Sequence, residues 1–285
     1  MRRASAVAAV VALVLTAGRL EAVQSSTSAE DAFLARAAEA AALYADRREA
    51  IADGFRRLGP EFPGMGVHWV NTGRVVSGRL VGERPAVLCY VDVGGAPTLV
   101  GLAYTLPLAA DESPPAEPFG SGAWHDHSGE VSEESLLLNH PSSSLPAGEE
   151  FRLSMVHVWL PLENPAGVLA QNNWRLPFLR AGLEAPVAPS SLVARGLSLG
   201  SEGSEYYREL LHWAAGDGAQ DRAAIDRALA ASAVVVDAWI ALHAPRADEA
   251  ELRELAGVWV ALWDELERSL SAAAFERVRP LREGH

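Results

Sequence analysis

The segment Trp124–Gly129, WHDHSG, holds two imidazoles two positions apart with an aspartate between them. In an extended backbone successive side chains alternate faces, so His125 and His127 would project to one side, close enough to hold a single ion. His157 lies in SMVHVWL, where the same alternation puts Met155, His157 and Trp159 on one face and Val156, Val158 and Leu160 on the other. The valine–leucine face suits a core, so His157 is expected to point towards a second packed face or a pocket. His68 stands beside Trp69 in VHWV, at the start of a stretch that reads as strands. Neutral imidazole suits zinc, copper, iron or nickel, and three ligands around an open position is the usual catalytic arrangement for zinc. The candidate ligands are therefore His68, His125, His127 and His157, for a zinc or copper ion. Asp126 or Glu130 is the candidate acceptor that would orient a ligand ring, and Met155 a candidate soft ligand should the metal be copper. The competing reading makes WHDHSG a solvated loop and His68 and His157 hydrogen-bonded core residues. His140 precedes Pro141 in a loop and is the weakest of these histidines as a ligand.

Other chemistry is thinner. Cys89 is the single cysteine, so no intrachain disulfide can form, and its setting in AVLCYV reads as a buried, inert thiol. Glu209 and His212 have the Glu-x-x-His spacing of di-iron bundles, but that site needs the motif twice and it occurs once. No G-x-S-x-G elbow, phosphate-binding loop or G-x-G-x-x-G appears, which removes the common hydrolase and nucleotide signatures. Asn164-Pro165-Ala166-Gly167 reads as a shape-giving turn, with closing of a site as the sharper alternative. Three functional readings follow. One is a metal-binding protein; a second is a metal-free small-ligand or protein-interaction module whose Trp and His residues line a cleft. The third is a zinc-dependent hydrolase with Asp126, Glu130 or Glu163 as base.

Around these residues the chain organises as follows. Met1-Arg2-Arg3 and the apolar run Ala4–Ala17 read as a signal peptide, cleaved after Ala22 or, as an alternative, Ala17. The run is shorter than the ~20 residues of a membrane span, and no later segment is apolar for long enough. The expected product is a soluble protein exported to the periplasm or beyond, without stable membrane insertion. Net charge is −13, and cleavage removes three arginines and one glutamate, leaving the remainder more acidic still. That argues against nucleic acid as partner, which requires a basic surface. All basic residues are arginine and none is lysine; with the abundant alanine this matches the bias of a GC-rich bacterial genome.

The expected fold class is α+β: an N-terminal helix on a small antiparallel sheet, followed by a C-terminal helical hairpin or three-helix segment. Residues 29–58 carry apolar positions at three- and four-residue steps and are stopped by Gly59-Pro60. Residues 65–108 contain strands, with Val93-Gly94-Gly95-Ala96 as a hairpin turn. A long polar segment, 109–149, contains WHDHSG, and a last strand runs from Phe151 to Leu160. The domain reading is signal peptide 1–22, helix-plus-sheet domain 23–182, connector 183–203 and helical region 204–285, with helices near 204–215, 219–243 and 247–276.

Between residues 30 and 178 the succession AIADGF (50–55), GMGVHWVN (64–71), RPAVLCYV (84–91), LVGLAYTLP (99–107) and HVWLPLENPAGVLAQNNWRLPF (157–178) resembles a family of exported bacterial proteins. That family shows an Ala-Asp-Gly-aromatic helix end, then GMGxHYVN, RPExLxYE and LVGVEYxVP segments, and an HVWxxxxNPAGMFxxxNP signature. It has no assigned activity, so the resemblance implies an architecture and export. This chain departs from the pattern at Val91, where the family has glutamate, and residues 180–285 have no counterpart in it.

Overall fold

The computed structural model describes residues 29–109, 111–127 and 151–282, with backbone alone at His127 and Phe151. The expected signal peptide, Glu130 and His140 lie outside the described residues. The architecture is α+β, a single six-stranded antiparallel sheet with helices on both faces. The strands are β1 (Arg56–Phe62), β2 (Gly66–Val70), β3 (Val87–Val93), β4 (Ala96–Ala109), β5 (His125–His127) and β6 (Phe151–Val158), ordered β1-β2-β3-β4-β6-β5.

One face is closed by the N-terminal helix α1, residues 29–44. Its stripe Phe33, Ala37, Ala40 and Tyr44 is buried against Leu88, Tyr90, Leu102, Tyr104, Val156 and Val158. The tyrosines bring hydroxyls into this core and satisfy them, as buried polar groups require. Tyr90 donates to the Tyr44 carbonyl at 2.6 Å and Tyr104 to that of Gly82 at 2.6 Å. The valine–leucine face of the last strand is thus a core face, as alternation predicts.

The helix expected over 29–58 divides. Asp46 caps a separate short helix, α2 (Arg47–Ala52), by accepting the Arg48 amide. The chain then turns at Gly54 and residues 56–62 become the edge strand β1. Gly59-Pro60 therefore interrupts a strand and does not end a helix. The pairing with β2 shifts register between Leu58 and Glu61, and an edge strand tolerates a proline because half of its amides need no partner. The hairpin expected at 93–96 is present, with Gly94 and Gly95 at φ 59° and 83°, the positive pair that a two-residue turn joining twisted strands demands. A short helix α3 (Thr72–Ser77), capped by Asn71, bridges β2 and β3.

The other face is covered by the C-terminal helices. After α4 (Leu176–Arg180) come α5 (Ser191–Leu197), α6 (Ser204–Ala215), α7 (Ala219–His243), α8 (Glu249–Ser269) and α9 (Ala272–Val278). The expected connector 183–203 thus contains a helix, and Val193, Ala194, Arg195, Gly196 and Leu197 in it are all buried. It packs so closely on α8 that a Cβ on Gly196 would stand 1.9 Å from the Leu255 carbonyl oxygen. The stretch expected as one helix over 247–276 is two, because Ser271 starts α9 by accepting the Ala274 amide. A capping box between Asp248 and Glu251 fixes the start of α8. The buried Arg195 lies over the rings of Trp174 and Trp259, at 4.9 and 5.7 Å. This ties the segment after the sheet to the bundle by cation–π attraction. Leu58, Phe62, Met65, Ala103 and Met155 of the sheet share one hydrophobic core with Tyr206, Leu255, Trp259 and Trp263 of the helices. None of the helices in the described residues is long and apolar enough to cross a membrane.

Candidate metal centre

Strand pairing decides which histidines meet. His68 of β2 stands opposite Cys89 of β3, and Cys89 opposite Gly101 of β4. One pair further along β4, Ala103 stands opposite His157 of β6, and His125 of β5 stands opposite Met155 of β6. The set therefore runs across five neighbouring strands on the face the C-terminal helices cover.

The result is a buried cluster. One ring nitrogen each from His68 and His157 and the Cys89 sulfur lie within 4.8 Å of one another. All three are at most 1% exposed. The two rings are parallel within 6°, with centroids 6.1 Å apart. His125, partly buried, brings its ring to 5.0 Å from that of His157. Neither ring nitrogen of His68 has a hydrogen-bond partner. That is costly, since an unsatisfied buried polar group forfeits about 1–3 kcal/mol, and it sets His68 apart from a core histidine held by a structural bond.

Electrostatics follow from burial. The His68 pKa is lowered to about 4, first by burial and then by the neighbouring His125. His125 is also brought down to about 4 by burial, partly opposed by Asp126. Both rings are neutral near pH 7, the state in which imidazole binds metal. Burial pushes the Cys89 thiol up, and it is the single cause acting there. The residues around the cluster are apolar and aromatic. Phe62 lies 4.7 Å from His68, ring to ring, and Trp159 lies 5.5 Å from His157.

Trp159 is held in place by the turn that follows it. Its indole N–H donates to the Ala170 carbonyl at 2.6 Å and its amide to that of Val168 at 2.9 Å. Within the turn the Asn164 side chain accepts from the Ala166 amide and donates to the Asn172 carbonyl. The Asn173 amide reaches back to the Gly64 carbonyl at 2.7 Å. The ring packs against Gly101, where any Cβ would sit 2.8 Å from it. The Asn-Pro-Ala-Gly turn thus gives shape and, through Trp159, also walls the cluster.

Of the residues singled out from sequence, His68, His157 and His125 come together. The backbone of His127 pairs with Leu153, and its side chain lies outside the described residues. Asp126 does not serve as a ligand acceptor. It points to the opposite face, where Arg152 binds its carboxylate. Glu163 is exposed and 3.9 Å from Arg175, and no carboxylate belongs to the cluster among the described residues. A cleft of about 220 Å³ beside β1–β3 takes in Trp69 and Tyr90 but no histidine, so the expected shared Trp–His cleft is not formed there. Glu209 and His212 lie on α6, away from the cluster, with the His212 ring 3.1 Å from Asp226. The sequence reading expected Cys89 to be a buried thiol, which it is, but did not place it beside the histidines. The available signal was that the strands of GVHWV and VLCYV, if paired in antiparallel register, set His68 against Cys89.

Compared with protein-family models, with curated proteins and with solved structures, the chain matches none.

Proposed function

We propose that this protein is an exported metal-binding protein that holds one transition-metal ion at His68, Cys89 and His157, with His125 adjoining as a fourth donor. The observation that carries the proposal is His68, fully buried with both ring nitrogens unpartnered and one of them aimed at a thiol and a second imidazole. Bonds of about 2.0–2.3 Å would place donors roughly 3.5–3.8 Å apart, so closing the set from 4.8 Å takes side-chain movement of about 1 Å. An ion there satisfies His68 and converts the destabilising cluster into a stabilising one, since the binding free energy adds to folding. Export rests on the basic start and the short apolar run at the N-terminus. Hydrolysis has no support at the centre, which lacks a carboxylate base among the described residues.

The test is metal content by mass spectrometry on tag-free protein after loading with zinc or copper and dialysis. The parent should retain close to one equivalent, His68→Ala and Cys89→Ser should lose it, and a His125→Ala variant should hold it more weakly. Equal retention by the parent and His68→Ala, or none in the folded parent, would dismiss the centre.

A further inference from the structure

The charge balance of the cluster discriminates between metals. When a metal M binds, the Cys89 S–H bond breaks, an M–S bond forms and the proton leaves to solvent; His68, His157 and His125 contribute no charge. A monovalent ion therefore gives a neutral centre, whereas a divalent ion leaves one positive charge. Among the described residues, no acidic member of the cluster would compensate that charge, and the neighbouring Asp126 is engaged by Arg152 on the opposite face. An uncompensated buried charge costs several kcal/mol even after relaxation. Zinc sites ordinarily spread their charge by letting ligating histidines donate the second N–H to a carboxylate or carbonyl, and the second nitrogen of His68 meets no acceptor.

The donor set agrees with this. Thiolate and imidazole suit Cu(I) as they suit zinc, and a soft thioether beside them leans the set towards Cu(I). Besides Cys89, the Met155 side chain is buried on the same face as His157, directly opposite His125 in the β5–β6 pairing. His125, on the edge strand β5, is half-buried, whereas His68, Cys89 and His157 are fully buried.

We propose, resting on the metal-centre reading above, that the site takes monovalent copper as a neutral thiolate complex, entering by way of His125. The experiment is a pair of competition titrations on the full reduced chain under anaerobic conditions. Bicinchoninate competes for Cu(I), and a chromophoric zinc chelator competes for Zn(II). The expected result is one equivalent of Cu(I) held about a thousandfold more tightly than zinc, with an ultraviolet thiolate-to-copper absorption that Cys89→Ser abolishes. His125→Ala is expected to slow Cu(I) uptake at least about tenfold and to bind its one equivalent more weakly than the parent. Zinc bound as tightly as Cu(I), or full Cu(I) affinity in Cys89→Ser, would overturn the copper assignment and leave a metal centre standing. Unchanged uptake in His125→Ala would overturn the entry route. A parent that stays folded by circular dichroism and takes neither ion would overturn the centre itself.

Discussion

His68 is the residue on which most depends. It is an apolar-sized ring in an apolar place that carries two unanswered nitrogens, and its burial has a measurable cost as pH falls. An unfolded imidazole titrates near 6.5, while burial holds His68 at about 4. Between these values the unfolded chain binds more protons than the folded one. Stability of the metal-free protein is therefore full above about pH 6.5 and declines as pH falls towards 4, by on the order of 3 kcal/mol from His68 alone. Urea unfolding at a series of pH values on chelator-treated protein should show that decline, and a flat profile would contradict the burial of a neutral ring. Cys89 offers an independent check. With its thiol pushed up by burial and fully covered, it should resist alkylation by iodoacetamide in the native metal-free protein and react readily in denaturant. Rapid native labelling would mean the cluster opens.

At the scale of elements, two glycines report how tightly the layers fit around the centre. Gly101 admits the flat Trp159 ring against β4 beside Cys89. Gly101→Val should displace the indole, cost about 1–3 kcal/mol as overpacking does, and weaken metal retention together with stability. Gly196 admits the Leu255 carbonyl against α5, with less room still. Gly196→Ala should destabilise by more than about 3 kcal/mol, because backbone stands in the way and no side-chain rotation can relieve it. Denaturant midpoints for the two variants measure both, and a Gly196→Ala protein of parental stability would show that α5 does not pack on α8 in this way. The period-two alternation of SMVHVWL was enough to assign faces to Val156, Val158 and His157, because each residue's face in a strand follows from parity. The division of 29–58 was not legible. The apolar spacing continues across Asp46, which caps the second helix, and residues 56–62 are drawn into a strand by pairing with β2.

Over the whole molecule, the helices that follow residue 183 are the second wall of the sheet. Their core is continuous with the sheet residues around the cluster, from Phe62 through Tyr206 and Tyr207 to Trp259 and Trp263. Layers that share one core should lose their structure together. Far-ultraviolet circular dichroism, dominated by the helices, and tryptophan fluorescence should give coincident thermal transitions. Both should move upward on metal loading, because an ion that binds only the folded chain stabilises it by mass action. Two separated transitions would mean that sheet and helices are independent units and that the cover over the cluster can come away alone.

The sequence by itself determined the α+β class, the Gly94-Gly95 hairpin and the parity of each strand. It also singled out His68, His125 and His157, three of the residues that the fold brings together, because side-chain parity along a strand depends on periodicity over a few residues. It could not determine that His68 faces Cys89, or that both meet His157 on a strand far along the chain. Those contacts depend on strand order and register, and register is set by how both faces of the sheet are buried at once. For the same reason Cys89 read as an inert thiol and the 183–203 segment as a connector. A buried cysteine looks alike whether its neighbours are methyl groups or imidazoles, and only the closure of the helical layer over the sheet made those neighbours a buried cluster.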